Sequence, residues 1–391
     1  MKSLSSITNN LKQSDIRAVT AMVNKVNGIN LGQGICDLPT PQPIKDGAKK
    51  AIDDNKSIYA PFAGLEELKE SVLGKVQRFN QIPANSVDEI LISVGSTGGF
   101  VTAMFALLES GDDVILFEPY YGYHSNLLRV LHVNQKVLPM RGTNWDIDFD
   151  ELERSITPKT KAIVINTPSN PCGKVWSRDE LQTMLDLLQK YDLYAVTDEV
   201  YEYMVYDHHK HVSLASLPEA FERTITLSSF SKTYNMTGWR LGFATGPENI
   251  IHKMGLLNDL FYICAPTPLQ HGLNEGFSMG PEYFDEILSD YDVKRTMMCE
   301  ALEQAGFEVP WPQGAYYAFV NFEALSQKLS GFDNAREACE TLINKTGVAS
   351  IPGSSFFANP DNGKYFLRFC FAKEMDVLKD ACDRLKELHQ K

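Results

Sequence analysis

The sequence lacks the features that point to a membrane protein, a disulfide-stabilised protein or a nucleic-acid partner. No stretch approaches the roughly 20 apolar residues of a membrane span, and the N-terminus resembles neither a signal nor a transit peptide. The seven cysteines are odd in number, widely spaced and without a CxxC pair, which disfavours disulfides and zinc and favours a reducing compartment. Basic residues are outnumbered 37 to 50, so the net charge of −13 repels polyanions. We therefore expect a cytoplasmic protein without nucleic-acid, membrane or metal partners.

The length and composition are those of an ordinary globular protein. Hydrophobic residues make up 43% and charged residues 22% of the 391 positions. Such a length implies two or three globular units, or one large α/β unit with a smaller companion. No GxGxxG follows any apolar run, which disfavours a nicotinamide-dependent dehydrogenase.

Short apolar runs alternate with helical segments from about residue 88 to residue 246. Several runs are continuously apolar, as expected of strands covered on both faces. The runs cover residues 89–95, 112–119, 161–168, 193–199, 224–229 and 240–246. Helices are predicted over 100–110 and 177–192, the second because Ser177 and Glu180 have the spacing of a capping box. The alternation predicts a mostly parallel sheet with helices on both faces.

The C-terminal part has a different pattern. A long helix is predicted over 283–305, followed by a Pro/Gly break at 309–314 and by shorter strands and helices that end with a helix over 375–389. We interpret this part as a smaller α/β domain, formed by residues 286–391 together with residues 1–40. The larger domain then covers residues 41–285.

Polar side chains follow five of the predicted strands, at the sheet edge where open parallel sheets bind ligands. The strands lead into STGG (96–99), EPYYGYH, TPSNPCG, DEVYEY and FSK. Lys232, just past a buried strand, could be a nucleophilic amine whose pKa is lowered by burial and by a cation such as Arg240. A lone lysine is more often a solvated loop residue, but the Ser-x-Ser-Lys run around this one favours the catalytic interpretation.

These segments resemble, in order and spacing, the class I and II aminotransferases, which are enzymes of fold type I that depend on pyridoxal 5′-phosphate (PLP). SSFSK followed by GWRLGF is similar to the cofactor-lysine signature of that family. Further matching segments are LGQGICDLPTPQP, SIYAPFAGLEELKESV, VGSTGG, EPYY, NTPSNPCG, DEVYEY and FLRF. The resemblance covers about residues 28–372 and is to the γ-subgroup of aspartate-, aromatic- and kynurenine-type enzymes. It implies an α/β fold with a mostly parallel seven-stranded sheet between helices, a smaller α/β domain, and PLP as cofactor.

The resemblance assigns catalysis to Lys232, Asp198 and Tyr201. Lys232 would hold PLP covalently and move a proton between the substrate α-carbon and C4′ of the cofactor. Asp198 would keep the pyridine nitrogen protonated, while Tyr201 and Asn170 would donate to the O3′ oxygen. The other implied cofactor contacts are the phosphate ligands and the ring-stacking residue, namely Ser96, Thr97, Ser229, Ser231, Arg240 and Tyr121.

The resemblance also implies a substrate site. Arg368 would bind the substrate α-carboxylate in a bidentate pair, beside Asn170 and in space left by Gly34. Ile35 would lie near the substrate side chain. Tyr59 matches a loop tyrosine that reaches the cofactor phosphate of the neighbouring subunit, which implies a homodimer with shared active sites; the alternative is a local turn residue.

Taken singly, these residues have ordinary structural interpretations. Asp198 fits a helix cap, Asn170 a turn, Tyr121 a core aromatic, and Arg368 a solvent-facing residue of an alternating strand. Only the ordered set favours the functional interpretation. Cys36 departs from the family pattern, which usually has proline there, so Cys36 is either a packed small residue or one that modulates access.

The substrate preference follows from a second departure. In the γ-subgroup, members that prefer dicarboxylates often place a lysine in the phosphate turn, where this chain has Thr97. Ile35, the tyrosines and Phe356 could form an apolar wall. We therefore predict an aromatic or large neutral amino donor, with 2-oxoglutarate or another 2-oxo acid as acceptor.

Other functions remain open on the same scaffold. An aspartate-preferring aminotransferase, a carbon–sulfur β-lyase acting on cysteine conjugates, and an aminocyclopropane-carboxylate synthase would share the chemistry of Lys232 and Asp198. A PLP-binding regulator is disfavoured by the net charge and by the roughly 27 residues that precede the matched region, too few for the DNA-binding module that such regulators carry.

Overall fold

The computed structural model describes residues 15–388. The helices are α1 (Asp15–Lys25), α2 (Gln42–Asp53), α3 (Glu66–Arg78), α4 (Gly95–Leu107), α5 (Gly122–Val130), α6 (Phe149–Ser155), α7 (Arg178–Lys190), α8 (Phe230–Thr233), α9 (Glu248–Tyr262), α10 (Thr267–Asn274), α11 (Pro281–Gln304), α12 (Glu323–Ser326), α13 (Ala335–Thr346) and α14 (Met375–Lys386). The strands are β1 (Ile29–Asn30), β2 (Ile90–Val94), β3 (Asp113–Glu118), β4 (Asn134–Pro139), β5 (Thr160–Asn166), β6 (Tyr194–Asp198), β7 (Thr224–Ser229), β8 (Leu241–Thr245), β9 (Tyr317–Asn321), β10 (Val348–Ala349), β11 (Ile351–Pro352) and β12 (Phe366–Cys370).

A seven-stranded sheet forms the centre of the fold, with strand order β2-β8-β7-β6-β5-β3-β4. β8 runs antiparallel to both of its neighbours, β2 and β7, and the other pairs are parallel. The six apolar runs predicted as strands are six of these seven. The sequence did not predict β4, because this edge strand is only partly buried and includes Asn134, Gln135 and Lys136, which interrupt any apolar run.

The helices next to the sheet follow the predicted pattern with one correction. α7 begins where expected: the Ser177 hydroxyl accepts from the Glu180 amide (3.2 Å) and the Glu180 carboxylate accepts from the Ser177 amide (2.8 Å). α4 begins at Gly95 rather than at residue 100 and ends three residues earlier than predicted. Gly95 has φ +66°, so the chain turns directly from β2 into the helix. The prediction missed this turn because its small polar residues lack apolar periodicity.

Two smaller sheets join both ends of the described chain. β1 pairs with β10 in parallel, and β11-β12-β9 form an antiparallel sheet. Leu31 extends this link, since its amide donates to the Ala349 carbonyl (3.0 Å) and its carbonyl accepts from the Cys370 amide (2.7 Å). α11 matches the predicted long helix, while α14 ends at Lys386; residue 389 and residues 1–14 lie outside the described range. Within residues 15–388 no helix has the length and apolarity to cross a membrane.

A buried charged network lies directly after β6. The Glu202 carboxylate accepts from Lys75 of α3 (2.6 Å), Asn80 (2.7 Å) and the Ser228 hydroxyl of β7 (2.7 Å). Burial raises the pKa of the Glu202 carboxyl, but the electrostatic attraction and hydrogen bond of Lys75, together with the hydrogen bond of Asn80, outweigh it, so this pKa lies below its ordinary value. The network therefore ties the segment after β6 to the end of β7.

Replacing Lys75 with methionine is expected to destabilise the protein by about 3–5 kcal/mol, because it leaves the Glu202 carboxylate buried without its cation. The loss should appear as a lower unfolding midpoint of the holoenzyme in a thermal or urea titration. Glu202→Gln, which leaves Lys75 buried without its anion, should also lower the midpoint. Lys49→Met is the control, since Lys49 pairs with Asp46 at the surface and should barely change the midpoint. A Lys75→Met midpoint equal to that of the control would contradict the interpretation.

Candidate active site

The predicted site residues gather around one cavity of about 390 Å³ at the carboxyl ends of the parallel strands. Those that line it are Gly34, Ile35, Ser96, Thr97, Tyr121, Asn170, Asp198, Tyr201, Ser229, Ser231, Lys232, Arg240 and Arg368. Tyr59 does not line the cavity, and its side chain is 80% exposed. The sequence did not predict several other lining residues, among them Arg17, Gln33, Tyr123, Asn166, Val200, Thr237 and Tyr317.

Lys232 lies in the short helix α8, three residues past β7. Its Nζ donates to the Gly34 carbonyl (3.3 Å) and lies 5.8 and 5.4 Å from the ring centroids of Tyr201 and Tyr316. The Tyr316 hydroxyl donates to the same carbonyl (3.1 Å). Burial among these rings lowers the pKa of the Lys232 amine from 10.5 to about 8. This lysine therefore has a much larger neutral, nucleophilic fraction near neutral pH than a solvated lysine has.

Asp198 ends β6 and is 6% exposed. Its Oδ2 lies 3.0 Å from His124 Nε2, whereas its Oδ1 is buried with no hydrogen-bond partner among the described residues. A buried carboxylate oxygen without a partner is costly unless a ligand satisfies it. The Asp198 side chain is therefore suited to accept a hydrogen bond from a ligand N–H. This interpretation explains its burial better than a role as a helix cap does. The sequence did not single out His124, although it stands in the EPYYGYH segment.

A set of hydrogen-bond donors suited to an anion, here called the anion cradle, lies where β2 and β7 end and β8 begins; it consists of Ser96, Thr97, Ser229, Ser231 and Arg240. The first turn of α4 presents backbone amides at Ser96 and Thr97, and the hydroxyls of Ser229 and Ser231 lie 2.8 Å apart. Arg240, in the left-handed conformation with φ +58°, lies against Gly95, where a Cβ would overlap its guanidinium. Helix amides, hydroxyls and a guanidinium together are the donors that a phosphate prefers.

Arg368 on β12 lies at the opposite wall and is 2% exposed, so the solvent-facing interpretation is wrong for it. Its guanidinium donates to Asn170 Oδ1 and to the Gly32 carbonyl, both at 2.8 Å, and packs over the Tyr317 ring (4.3 Å). Gly34 is required here, because a Cβ would overlap the Tyr317 hydroxyl. These contacts hold the guanidinium rigidly, as bidentate binding of a carboxylate needs.

Aromatic residues complete the cavity. The Tyr201 hydroxyl lies 3.0 Å from that of Tyr317, and the Tyr121 ring stacks on Tyr123 with 5.1 Å between centroids. Burial raises the pKa of both Tyr121 and Tyr201, which therefore stay protonated and can donate. Phe356, expected in the apolar wall, is not a lining residue; it lies 4.9 Å from the Arg368 guanidinium and packs against it.

Cys36 is buried, and its thiol donates to Asn235 Oδ1 (3.0 Å) and contacts the Tyr291 hydroxyl (3.2 Å). Burial raises the pKa of this thiol. The structure therefore favours the packed interpretation over a role in access. Thr40 makes a second link to the same loop, since its hydroxyl donates to the Asn235 carbonyl (2.9 Å).

At one edge of an α/β sheet, the cavity brings together donors suited to an anion, a buried carboxylate oxygen without a described partner and a lysine whose pKa is lowered, a set that fits an enzyme with an anionic cofactor. The comparisons with known proteins agree. The aminotransferase class I and II family matches residues 26–385, and the chain belongs to that family. It is an aminotransferase of PLP fold type I, and its cofactor is PLP. The unpartnered Asp198 oxygen and the anion cradle fit that cofactor.

Relatives with different substrates resemble this chain to a similar degree. Human kynurenine–oxoglutarate transaminase 3 is 34% identical over 92% of this chain and 84% of its own length. The aspartate aminotransferase of Pyrococcus abyssi is 34% identical over 92% of this chain and 91% of its own. The structure of N-succinyldiaminopimelate aminotransferase from Mycobacterium tuberculosis superposes with a TM-score of 0.93 at 30% identity, over 99% of this chain and 100% of that one.

The lowered pKa of Lys232 predicts a pH dependence of cofactor loading. Only the neutral amine attacks the PLP aldehyde, so the loading rate of the cofactor-free enzyme should rise about tenfold per pH unit up to about pH 8 and then level off. Stopped-flow absorbance between pH 6.5 and 10 measures this. Pyridoxamine 5′-phosphate, which has no aldehyde, is the control ligand. A midpoint near the ordinary lysine value of about 10.5 would contradict the prediction.

Proposed function

We propose that this aminotransferase moves the amino group of an aromatic or large neutral L-amino acid to a 2-oxo acid such as 2-oxoglutarate. The observation that carries the substrate preference is the composition of the cavity that contains Arg368. Ile35, Tyr123, Val200 and Tyr317 line this cavity in addition to the proposed cofactor contacts, and such apolar and aromatic side chains favour a large apolar substrate side chain.

The proposed roles at the cofactor follow from the contacts described above. Bound PLP supplies an electron sink for the charge left on the substrate α-carbon when its proton leaves. Asp198, oriented by His124, holds the proton on the pyridine nitrogen. Asn170 uses Oδ1 to accept from Arg368, so its Nδ2 can donate to the O3′ oxygen beside Tyr201. The Ser96 and Thr97 amides, the Ser229 and Ser231 hydroxyls and Arg240 would hold the phosphate, and Tyr121 would pack against the ring.

The proposed roles at the substrate belong to Arg368 and Lys232. Arg368 binds the α-carboxylate, which fixes the α-carbon relative to the lysine. The Lys232 amine would accept the proton of that carbon and return it within the site. When the amine is not bonded to the cofactor, it donates a hydrogen bond to the Gly34 carbonyl, which keeps it within the site.

A panel of amino donors tests the proposal. The holoenzyme is incubated with each L-amino acid and 2-oxoglutarate, and glutamate is assayed separately from pyruvate and ammonia. Glutamate formed fastest with aromatic or large neutral donors supports the proposal, and glutamate formed fastest with aspartate supports the aspartate alternative. Pyruvate and ammonia from cysteine conjugates, with no glutamate from any donor, would support the β-lyase and overturn the proposal.

We also propose a homodimer in which Tyr59 reaches the partner's cofactor phosphate. Ile58 and Tyr59 are both 80% exposed, and α9 exposes Leu256, Leu260 and Phe261. Exposed apolar side chains in this number are typical of a surface that a partner covers. Sedimentation equilibrium should give the mass of two chains, and Tyr59→Phe should weaken PLP binding without changing that mass. A monomer with full activity would overturn this proposal.

Two broader predictions remain proposals. The domain division at residues 41 and 285 is supported by the separate sheets at the chain ends, although α11 runs through the second boundary without a break. A cytoplasmic location is supported by seven free cysteines, of which six are buried.

A further inference from the structure

The cavity contains three guanidinium groups, and the proposed function uses only two of them. Arg240 belongs to the anion cradle, and Arg368 is held by Asn170 and Gly32 to bind an α-carboxylate. The third is Arg17 of α1, which also lines the cavity but lies far from both in the sequence. Within residues 15–388, no carboxylate forms an ion pair with Arg17.

α1 is fixed in place although Arg17 itself is exposed. Val19 and Val23 are buried in the core that includes Ile115, Ile163 and Ile351. Asn30 Nδ2 donates to the Thr20 hydroxyl (3.0 Å), which connects the helix to β1. The rest of the cavity wall next to β1 consists of Gln33, Gly34 and Ile35. Arg17 is therefore held on the same side of the cavity as the expected substrate side chain.

We infer that Arg17 binds the second carboxylate of a dicarboxylic 2-oxo acid or amino acid, such as 2-oxoglutarate or glutamate. The inference rests on the proposed function and extends it. A cofactor phosphate and the two carboxylates of such a substrate make three anionic groups, which matches the three guanidiniums. Lys232, Arg240 and Arg368 have other proposed roles and Thr97 is uncharged, so Arg17 is the cation of this cavity that remains for the distal carboxylate.

The exposure of Arg17 explains how one cavity can take two kinds of substrate. An apolar donor leaves this guanidinium in water, which costs little because the group stays solvated. A dicarboxylic acceptor forms a charged hydrogen bond with it and gains affinity. The same cavity then accepts an aromatic donor in one half-reaction and a dicarboxylic acceptor in the other without rebuilding its wall.

The test compares two acceptors that differ only in the distal group. 2-Oxopentanoate has the chain length of 2-oxoglutarate but ends in a methyl group. With a saturating aromatic donor, Arg17→Gln should lower kcat/KM for 2-oxoglutarate about tenfold, mainly through KM, and leave the value for 2-oxopentanoate within about twofold. Arg17→Lys should retain part of the preference, and the wild-type preference should fall as the salt concentration rises.

Arg178→Gln is the matched control, because Arg178 is an exposed arginine at the start of α7 that does not line the cavity. Equal losses with both acceptors, or no loss with 2-oxoglutarate, would overturn the role of Arg17 and leave the aminotransferase proposal intact. A wild-type enzyme that transfers no amino group to either acceptor would instead overturn the proposed function.

Discussion

Replacing Lys232 with alanine is expected to lower kcat for transamination by at least about 10⁴-fold, the largest effect of any single substitution. The substitution removes the amine that we propose to anchor the cofactor covalently and to move the substrate proton, and positioned acid–base groups alone contribute about 10²–10⁴-fold. No other lysine lines the cavity among the described residues, so none is placed to replace it.

Two measurements separate the parts of this effect. Single-turnover absorbance after mixing with a donor gives the rate of the proton-transfer step, and added methylamine should restore part of that rate in the variant. Borohydride reduction followed by denaturation should leave the cofactor attached in the wild type and release it from Lys232→Ala. Lys379→Ala, an exposed lysine on α14, is the control. A variant that keeps more than a few per cent of the wild-type kcat would contradict the assignment.

Asp198→Asn is expected to lower kcat by about 10²–10³-fold while PLP still binds. The amide keeps the shape of the side chain but cannot stabilise a proton on the pyridine nitrogen, and losing one positioned electrostatic group in a buried site typically costs this much. The unpartnered Oδ1 is the structural reason, because it is a buried acceptor available to a ligand N–H, which we propose is that of the pyridine ring.

His124→Asn tests whether kcat falls less when the contact to Asp198 is lost than when the Asp198 carboxylate itself is replaced. His124 contacts Asp198 and does not line the cavity, so its loss should reduce kcat less than Asp198→Asn does. Kinetics with one donor and acceptor pair, together with a PLP titration of each variant, separate lost catalysis from lost cofactor. An Asp198→Asn enzyme with wild-type kcat would contradict the role of the carboxylate.

The sequence predicted most of the central sheet because buried parallel strands have an unmistakable apolar pattern. The sequence did not predict β4, because this edge strand contains polar residues that interrupt the apolar pattern. It predicted the start of α4 five residues late, because the turn at residues 95–99 has no apolar periodicity. It also predicted Lys232, Asp198 and Arg240, since each follows or precedes a recognisable strand within a matched segment.

What the sequence could not supply are the contacts made between distant segments. Arg17, Tyr317 and Lys232 are separated by many residues, and they share one cavity only because tertiary packing brings α1, β9 and α8 together there. The prediction that Phe356 lines the cavity wall is wrong for the same reason. The sequence shows that this residue is apolar, but its position beside the Arg368 guanidinium depends on tertiary packing.

The reversed direction of β8 explains why one arginine can complete the anion cradle. In the observed register Leu241 lies opposite Val94, and Gly242 lies opposite Ser229. The residue before β8 is therefore adjacent to the residues that end β2 and β7. If β8 ran parallel to β7, Arg240 would lie at the other edge of the sheet, about 17 Å away for five residues at 3.3 Å each. The position of Arg240 in the cavity is thus a consequence of strand polarity, and a parallel β8 would remove its guanidinium from the site.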